Sequence, residues 1–529
     1  MKLCLKSGKC DKKAEPFLML DNRETDMERY IKRALSTIHI AIFAAVLVFS
    51  PVLFSSADVD EKASDFYREI KLFETIVQRI RINYVTDVDP TTLIHGAVRG
   101  MLNELDDHTM FFDSEDFRLL LDDTEGSFGG LGITISITPE DNTLTVMSVL
   151  EGTPAERVGL ESRDKIIEIE GESTEDITTR EALTKLRGDV GTDVTITIFR
   201  NGAPEPIEFT ITRGNISVES VPYYFMVSDD VGYVRLTNFS RNEETDSANE
   251  LKGAIAELRA QGMDKLILDL RGNPGGLLEE AVGVSNLFLE KGSLVVYTKG
   301  RSMKWEQREY YAEERPVFPK GKMVVLVDGG SASASEIVAG ALKDNDRAII
   351  MGEKTFGKAS VQSIVPLTVG TDEEGSFPGM KITIAHYYTP DGNLIDGVGI
   401  EPDVVLEEPE MPLVVTKLFS EGMFRIYAEN YYDKYGETGV ANFDSDPGVL
   451  EDFKAMTREK NFQFYPEAYA ETLPDGGYGF YASAVDGEKD LVVRLLKREV
   501  IREAEGDGKA YEFWRQGDDW INKAIEELS

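Results

Sequence analysis

A serine becomes a nucleophile only where a base can take its proton and fixed dipoles can hold the charge that develops on the substrate. Residues 328–340, DGGSASASEIVAG, offer that setting around Ser333. The apolar run MVVLV, ending at Val327, predicts a buried strand, and Gly329 and Gly330 break it. Ile337, Ala341 and Leu342 then recur at helical spacing. A hydroxyl in the first turn of such a helix meets unpaired N–H groups and the positive end of the helix dipole. Ser333 with Glu336 is equally an S-x-x-E capping box, a purely structural arrangement, and taken alone that reading is the stronger one.

A second stretch changes the balance. Residues 347–362, RAIIMGEKTFGKASVQ, predict another strand leading into a loop with Thr355, Gly357, Lys358 and Gln362. The four histidines, His39, His95, His108 and His386, lie in no recognisable triad motif, and no G-x-S-x-G elbow occurs. In GNPGG, residues 272–276, Pro274 stands where a trypsin-like loop has serine. Lysine is the obvious alternative base, a histidine-dependent protease using His386 or His108 being a further reading. Its ammonium can serve only if burial lowers its pKa, and Phe356, Ala359 and Val361 would supply an apolar setting for Lys358.

Together these residues resemble the carboxyl-terminal processing peptidases, also called tail-specific proteases, over roughly residues 60–405. The resemblance implies a multidomain α/β protein: a ClpP/crotonase-like protease core with an inserted PDZ domain, an N-terminal helical domain and a helical C-terminal extension. It implies Ser333 as nucleophile, Lys358 as general base and Gln362 orienting the lysine, with the family's usual interval between Ser333 and Lys358. Supporting roles fall to Glu336, Asp344 and Thr355. Backbone N–H groups of Ala334 and of Gly275 or Gly276 would form an oxyanion hole, and Asp269 and Arg271 would brace that glycine loop. No metal or cofactor is expected.

GGLGI, residues 129–133, resembles the carboxylate-binding loop of PDZ domains, and TPAERVGL, DKIIEIEG and LRG follow in order. Glycines there let successive N–H groups face a terminal carboxylate while the next strand pairs with the peptide. Gly130, Leu131, Gly132 and Ile133 are the peptide-binding candidates; Arg187 is either near the groove or an ordinary surface charge. The resemblance implies that an apolar substrate tail docks there and shifts the PDZ domain from a blocking to a permissive position. LDDHTMFFDSEDF, residues 105–117, resembles a family segment reading Asp-Pro-His-Ser, with Asp107 and Thr109 replacing the proline and serine, so His108 is expected to be structural. His386 is expected to pack or to hydrogen-bond in the strand of KITIAHYY.

At 529 residues the chain is too long for one core. The expected divisions are 1–57, an arm with an export signal; 58–125, helical; 126–214, PDZ; 215–406, protease core; and 407–529, an acidic helical extension whose amphipathic faces need a partner surface, either the chain's own helical domain or another subunit. A net charge of −38 argues against nucleic acid and anionic membranes as partners. Residues 28–57 combine Arg29, Lys32 and Arg33, an apolar run over 38–54, and small residues Ser55 and Ala57. That layout predicts a secretory signal cleaved after Ala57, an uncleaved anchor being the second choice, and a periplasmic or envelope location. The long preceding arm points to Met27 as the translation start. Cys4 and Cys10, the only cysteines, lie in that arm. The expected partners are proteins with apolar C-terminal tails, a second copy through the terminal helices and an activating adaptor. An inactive PDZ scaffold is the competing class, against which the presence of Ser333, Lys358 and Gln362 counts.

Overall fold

The computed structural model describes residues 57–529 apart from 139–141, 151, 201–202, 243–244, 302–306, 369–376, 408–409, 461, 463 and 465–477. Met27, Cys4, Cys10, His39 and all of the signal segment before Ala57 lie outside the described residues. Among the described residues no helix is long and apolar enough to cross a membrane.

The chain divides after Gly96 into two units. The first contains the helix Ala57–Asn83, whose apolar stripe of Phe66, Ile70, Phe73 and Ile76 is exposed.

The second unit is organised by a six-stranded sheet in the order Tyr223–Met226, Val231–Arg235, Lys265–Asp269, Met323–Val327, Ile349–Gly352, Val404–Val405. All its pairings are parallel except the first. Parallel strands covered on both faces read as continuous apolar runs, which is why MVVLV is buried at every residue. On one face the helices Ser247–Ala260, Leu278–Asn286 and Ala334–Asp344 close the main core through Leu251, Ile255, Val284 and Val338. On the other face lies the C-terminal helix Asp519–Leu528, with Trp520, Ile521, Ala524 and Leu528 buried against Tyr233, Ile267, Val324 and Met351. The extension's last helix is therefore partnered by the six-stranded sheet, a surface the sequence did not single out. Its earlier helices, from Leu413 to Glu505, share a core of their own around Phe424, Phe453 and Leu495.

A second, antiparallel sheet pairs Ser360–Pro366, Leu294–Lys299 and Met110–Phe112 with Gly379–Tyr388. The segment expected to be wholly helical thus gives a strand to the core. Its register is held by Phe117, which is buried so close to Gly379 that an added Cβ would lie 2.0 Å from the ring.

Between Ser127–Gly130 and Gly214–Ser217, which pair with each other, the chain makes an antiparallel sheet from Ile133–Thr138, Thr143–Val149, Lys165–Ile169, Asp193–Phe199 and Ile207–Thr212. The paired entry and exit strands make this module an insertion that closes on itself.

Candidate active site

Three neighbouring parallel strands, Lys265–Asp269, Met323–Val327 and Ile349–Gly352, release their loops at one sheet edge, where the carboxyl ends of α/β strands build sites. The middle loop ends at Ser333, whose φ of 54° places a non-glycine residue in the left-handed region. Such backbone strain is retained only where the surroundings over-determine it. Ser333 lines a cleft of ≈ 380 Å³ together with Lys358, Gln362, Gly275, Gly276 and Lys381.

What over-determines this geometry is Glu336, fully buried one turn into the helix. Its Oε2 accepts from the Ser333 N–H at 2.8 Å and the Lys358 N–H at 2.9 Å; its Oε1 accepts from Thr355 Oγ1 at 2.6 Å and the Gly357 N–H at 2.8 Å. One carboxylate therefore clamps the serine turn to the lysine loop. Burial pushes its pKa up, against these hydrogen bonds, which favour the ionised form. Thr355 Oγ1 also accepts from the Ile400 N–H at 2.7 Å, fixing the loop from behind. A second clamp is the buried Tyr387 hydroxyl, which bridges the carbonyl oxygens of Ser333 and Lys358.

Burial lowers the Lys358 ammonium from its ordinary value; the Lys381 charge lowers it further, and Glu336 opposes both. Both residues line the one cleft, and a lysine can act as a general base only in its neutral form, which a lowered pKa favours.

The loop 272–276 approaches from the neighbouring strand. At Gly275 (φ 101°) an added Cβ would lie 2.8 Å from both Ser333 Cβ and Ala334 N; at Gly276 (φ 150°) it would lie 2.1 Å from the Phe239 carbonyl oxygen. The Gly275 N–H is engaged, donating to Asn273 Oδ1 at 2.9 Å. Among the described residues the N–H groups of Gly276 and Ala334 have no recorded partner. Asn273, fully buried, ties the two loops together, since its carbonyl accepts from the Ala332 N–H at 3.0 Å and from Ser335 Oγ at 2.9 Å.

Residues 230–406 match the model of Peptidase family S41, residues 120–199 that of the PDZ domain, and residues 51–115 that of the activating protease CtpB N-terminal domain. A carboxy-terminal-processing protease of Bartonella bacilliformis is 40% identical over 343 residues, 65% of this chain and 76% of that protein. The chain belongs to peptidase family S41. It is a carboxyl-terminal processing protease and a serine-type peptidase. A relative from Synechocystis sp. is 40% identical over 59% of this chain and 71% of its own. The solved photosystem II D1 C-terminal processing protease is 29% identical, covers 64% of this chain and 92% of its own, and superposes with a TM-score of 0.37.

In this S41 protease, Ser333, Ala334, Glu336, Thr355 and Lys358 come together as the sequence indicated. Gln362 faces the same cleft, but its amide donates to Ser360 Oγ at 2.7 Å and Thr383 Oγ1 at 3.4 Å rather than holding Lys358. Asp344 is not brought to the cleft. It ends the helix about three turns from Ser333, and its Oδ2 accepts from the Asp391 N–H at 2.9 Å, bracing a turn. No histidine is among the residues lining the cleft. His108 shapes its own loop, its N–H donating to Asp106 Oδ1 at 2.8 Å. Asp269 and Arg271 do brace the glycine loop. Burial would raise the Asp269 carboxyl, but Arg271 and Arg235 outweigh it and hold the carboxyl well below the usual carboxylate range. Sequence reasoning missed Tyr387, Asn273 and Lys381. The signal for Lys381 was a lone charged residue heading the mostly apolar GMKITIAHYY strand.

The PDZ module carries a larger groove, ≈ 970 Å³, between the edge strand Ile133–Thr138 and the helix Thr179–Leu186. Gly130, Leu131, Gly132 and Ile133 all line it. The N–H groups of Leu131 and Gly132 have no recorded partner among the described residues. Arg187 lines the groove too, its guanidinium stacked 3.9 Å over the Phe128 ring.

Proposed function

We propose that this peptidase is an exported endopeptidase that reads the C-terminal tails of its substrates through the PDZ groove and cuts with a Ser333–Lys358 dyad. The observation that carries the dyad is the shared cleft in which Glu336 clamps both residues, with the lysine's pKa lowered by burial. In the first step Lys358 Nζ takes the proton as Ser333 Oγ bonds to the scissile carbonyl carbon. The resulting oxyanion accepts from the Gly276 and Ala334 N–H groups, the assignment favoured by the engaged Gly275 N–H. The C–N bond then breaks, Lys358 returns its proton to the departing amine, and an acyl group remains on Ser333. Water, deprotonated by Lys358, attacks the ester and Ser333 regains its proton.

Rapid acid quench after mixing with an activated peptide ester, followed by peptide mapping, is expected to find the acyl group on Ser333 and nowhere else. Acylation at another residue, or none during turnover, would contradict the mechanism.

Tail reading is supported by the open edge of the strand Ile133–Thr138 and by the Leu131 and Gly132 amides, which make no hydrogen bond among the described residues and suit an added peptide strand ending in a carboxylate. Amidating an apolar substrate tail removes that charge. Hydrogen bonds to a charged group are worth about 1.5–3 kcal/mol, so kcat/KM should fall about 10- to 100-fold. Equal rates for the acid and the amide would refute tail recognition. In this reading tail binding moves the PDZ domain to a permissive position, and the exposed stripe of Ala57–Asn83 seats a second copy of the chain. Export rests on the layout of residues 28–57.

A further inference from the structure

The last 23 residues, 507–529, follow the stretch matched by the S41 model, yet they touch the root of the glycine loop. Two helices, Asp507–Arg515 and Asp519–Leu528, meet at Asp518. Its Oδ1 caps the second helix, accepting from the N–H groups of Trp520 at 2.9 Å and Ile521 at 3.3 Å. Its Oδ2 lies 2.6 Å from Arg515 and 2.9 Å from Arg271, both through NH1. The Trp520 ring sits under the same Arg271 guanidinium, 5.3 Å from its centroid.

Arg271 is only 9% exposed and is held from both sides. Its Nε and NH2 donate to Asp269, at the end of the strand Lys265–Asp269, and its NH1 faces Asp518. The next residues are the loop 272–276. A further thread runs from the tail: the Tyr511 and Tyr233 hydroxyls lie 2.8 Å apart, and Tyr233 donates to Asp269 at 2.6 Å. Without the Asp518 charge, three arginines, Arg235, Arg271 and Arg515, would share Asp269 alone. A buried guanidinium deprived of one carboxylate must move toward its remaining partners or toward water, and here that motion pulls on the backbone leading to Gly276.

We propose that Asp518 is a positioning residue for catalysis: the C-terminal helices form a strut that, through Arg271, holds the loop 272–276 where the Gly276 N–H can meet the oxyanion. The inference rests on the reading of Gly276 as an oxyanion donor. It makes the tail part of the catalytic machinery, although it lies on the sheet face opposite the Ser333 helix.

The test uses the full chain as wild type, Ser333→Ala, Asp518→Asn and Asp518→Glu, assayed on a fluorogenic peptide below every unfolding midpoint. Asparagine is nearly isosteric and still caps a helix, so Asp518→Asn is expected to fold. Its kcat should fall about tenfold with KM within about twofold, because a displaced oxyanion donor weakens only the transition state. Asp518→Glu should recover most of the loss. Hydrogen exchange at 272–276 should quicken in Asp518→Asn while the strand Met323–Val327 stays protected. An unchanged kcat, a loss carried by KM, or a loss matched by the unfolded fraction would overturn the proposal. If the wild type itself cleaves no better than Ser333→Ala, the dyad reading falls and this inference with it; an unaffected Asp518→Asn beside an active wild type sinks this inference alone.

Discussion

Replacing Lys358 with alanine should lower kcat/KM by about 10³- to 10⁴-fold, because members of a catalytic unit fail together once the base is gone. Lys358→Arg should be equally inactive: a guanidinium stays protonated at any working pH and cannot accept the serine's proton. The pH profile of the wild type should carry the same signature. Only the neutral amine is a base, so kcat/KM should decline as pH falls through the Lys358 pKa, which burial and the Lys381 charge hold below its ordinary value. Removing the Lys381 charge, as in Lys381→Met, takes away one of the effects that lower Lys358. The Lys358 pKa then rises, the acidic limb moves to higher pH and activity at neutral pH falls. A limb that stayed in place, or moved down, would remove Lys358 from the base role or Lys381 from its influence on it.

Glu336→Gln should damage both stability and activity, by a different route. The carboxylate satisfies four donors with two oxygens. A glutamine offers one oxygen and turns an NH₂ toward two of those donors. Each orphaned buried donor costs about 1–3 kcal/mol, so stability should fall by about 2–6 kcal/mol, read as a lower urea midpoint. Because the same donors align Ser333 and Lys358, activity per folded molecule should also drop about 100-fold, the scale expected for a misplacement of about 1 Å. A variant with a lowered midpoint but wild-type kcat would make Glu336 a stability residue only. Tyr387→Phe, which removes the second clamp between the two carbonyls, offers an internal comparison.

The cleft that Ser333 and Lys358 share was legible because each part is local in sequence. DGGSASASEI and GEKTFGKASVQ each fit on one strand–loop unit, and the sheet order sets their loops side by side. GGLGI was legible for the same reason. What the sequence did not carry was the long-range hydrogen-bond partnering. That the Gly275 N–H is engaged depends on one Asn273 side chain, and Asn273 reads as an ordinary turn residue. That Glu336 serves the lysine loop as well as its own helix depends on contacts 19 to 22 residues away. Asp344 was named on the resemblance alone; it ends its helix about three turns from Ser333 and braces a turn there. The docking of Asp519–Leu528 on the sheet was illegible too: an amphipathic helix shows that it needs a partner, and never which one.

The most direct test of the central claim is a time course of cleavage. Residues 58–529 of the wild type, Ser333→Ala and Lys358→Ala would each be incubated with an unfolded protein ending in apolar residues, and the fragments followed by mass spectrometry. The dyad predicts fragments from the wild type alone, with both variants folded and inactive. Equal cleavage by the wild type and either variant would contradict it.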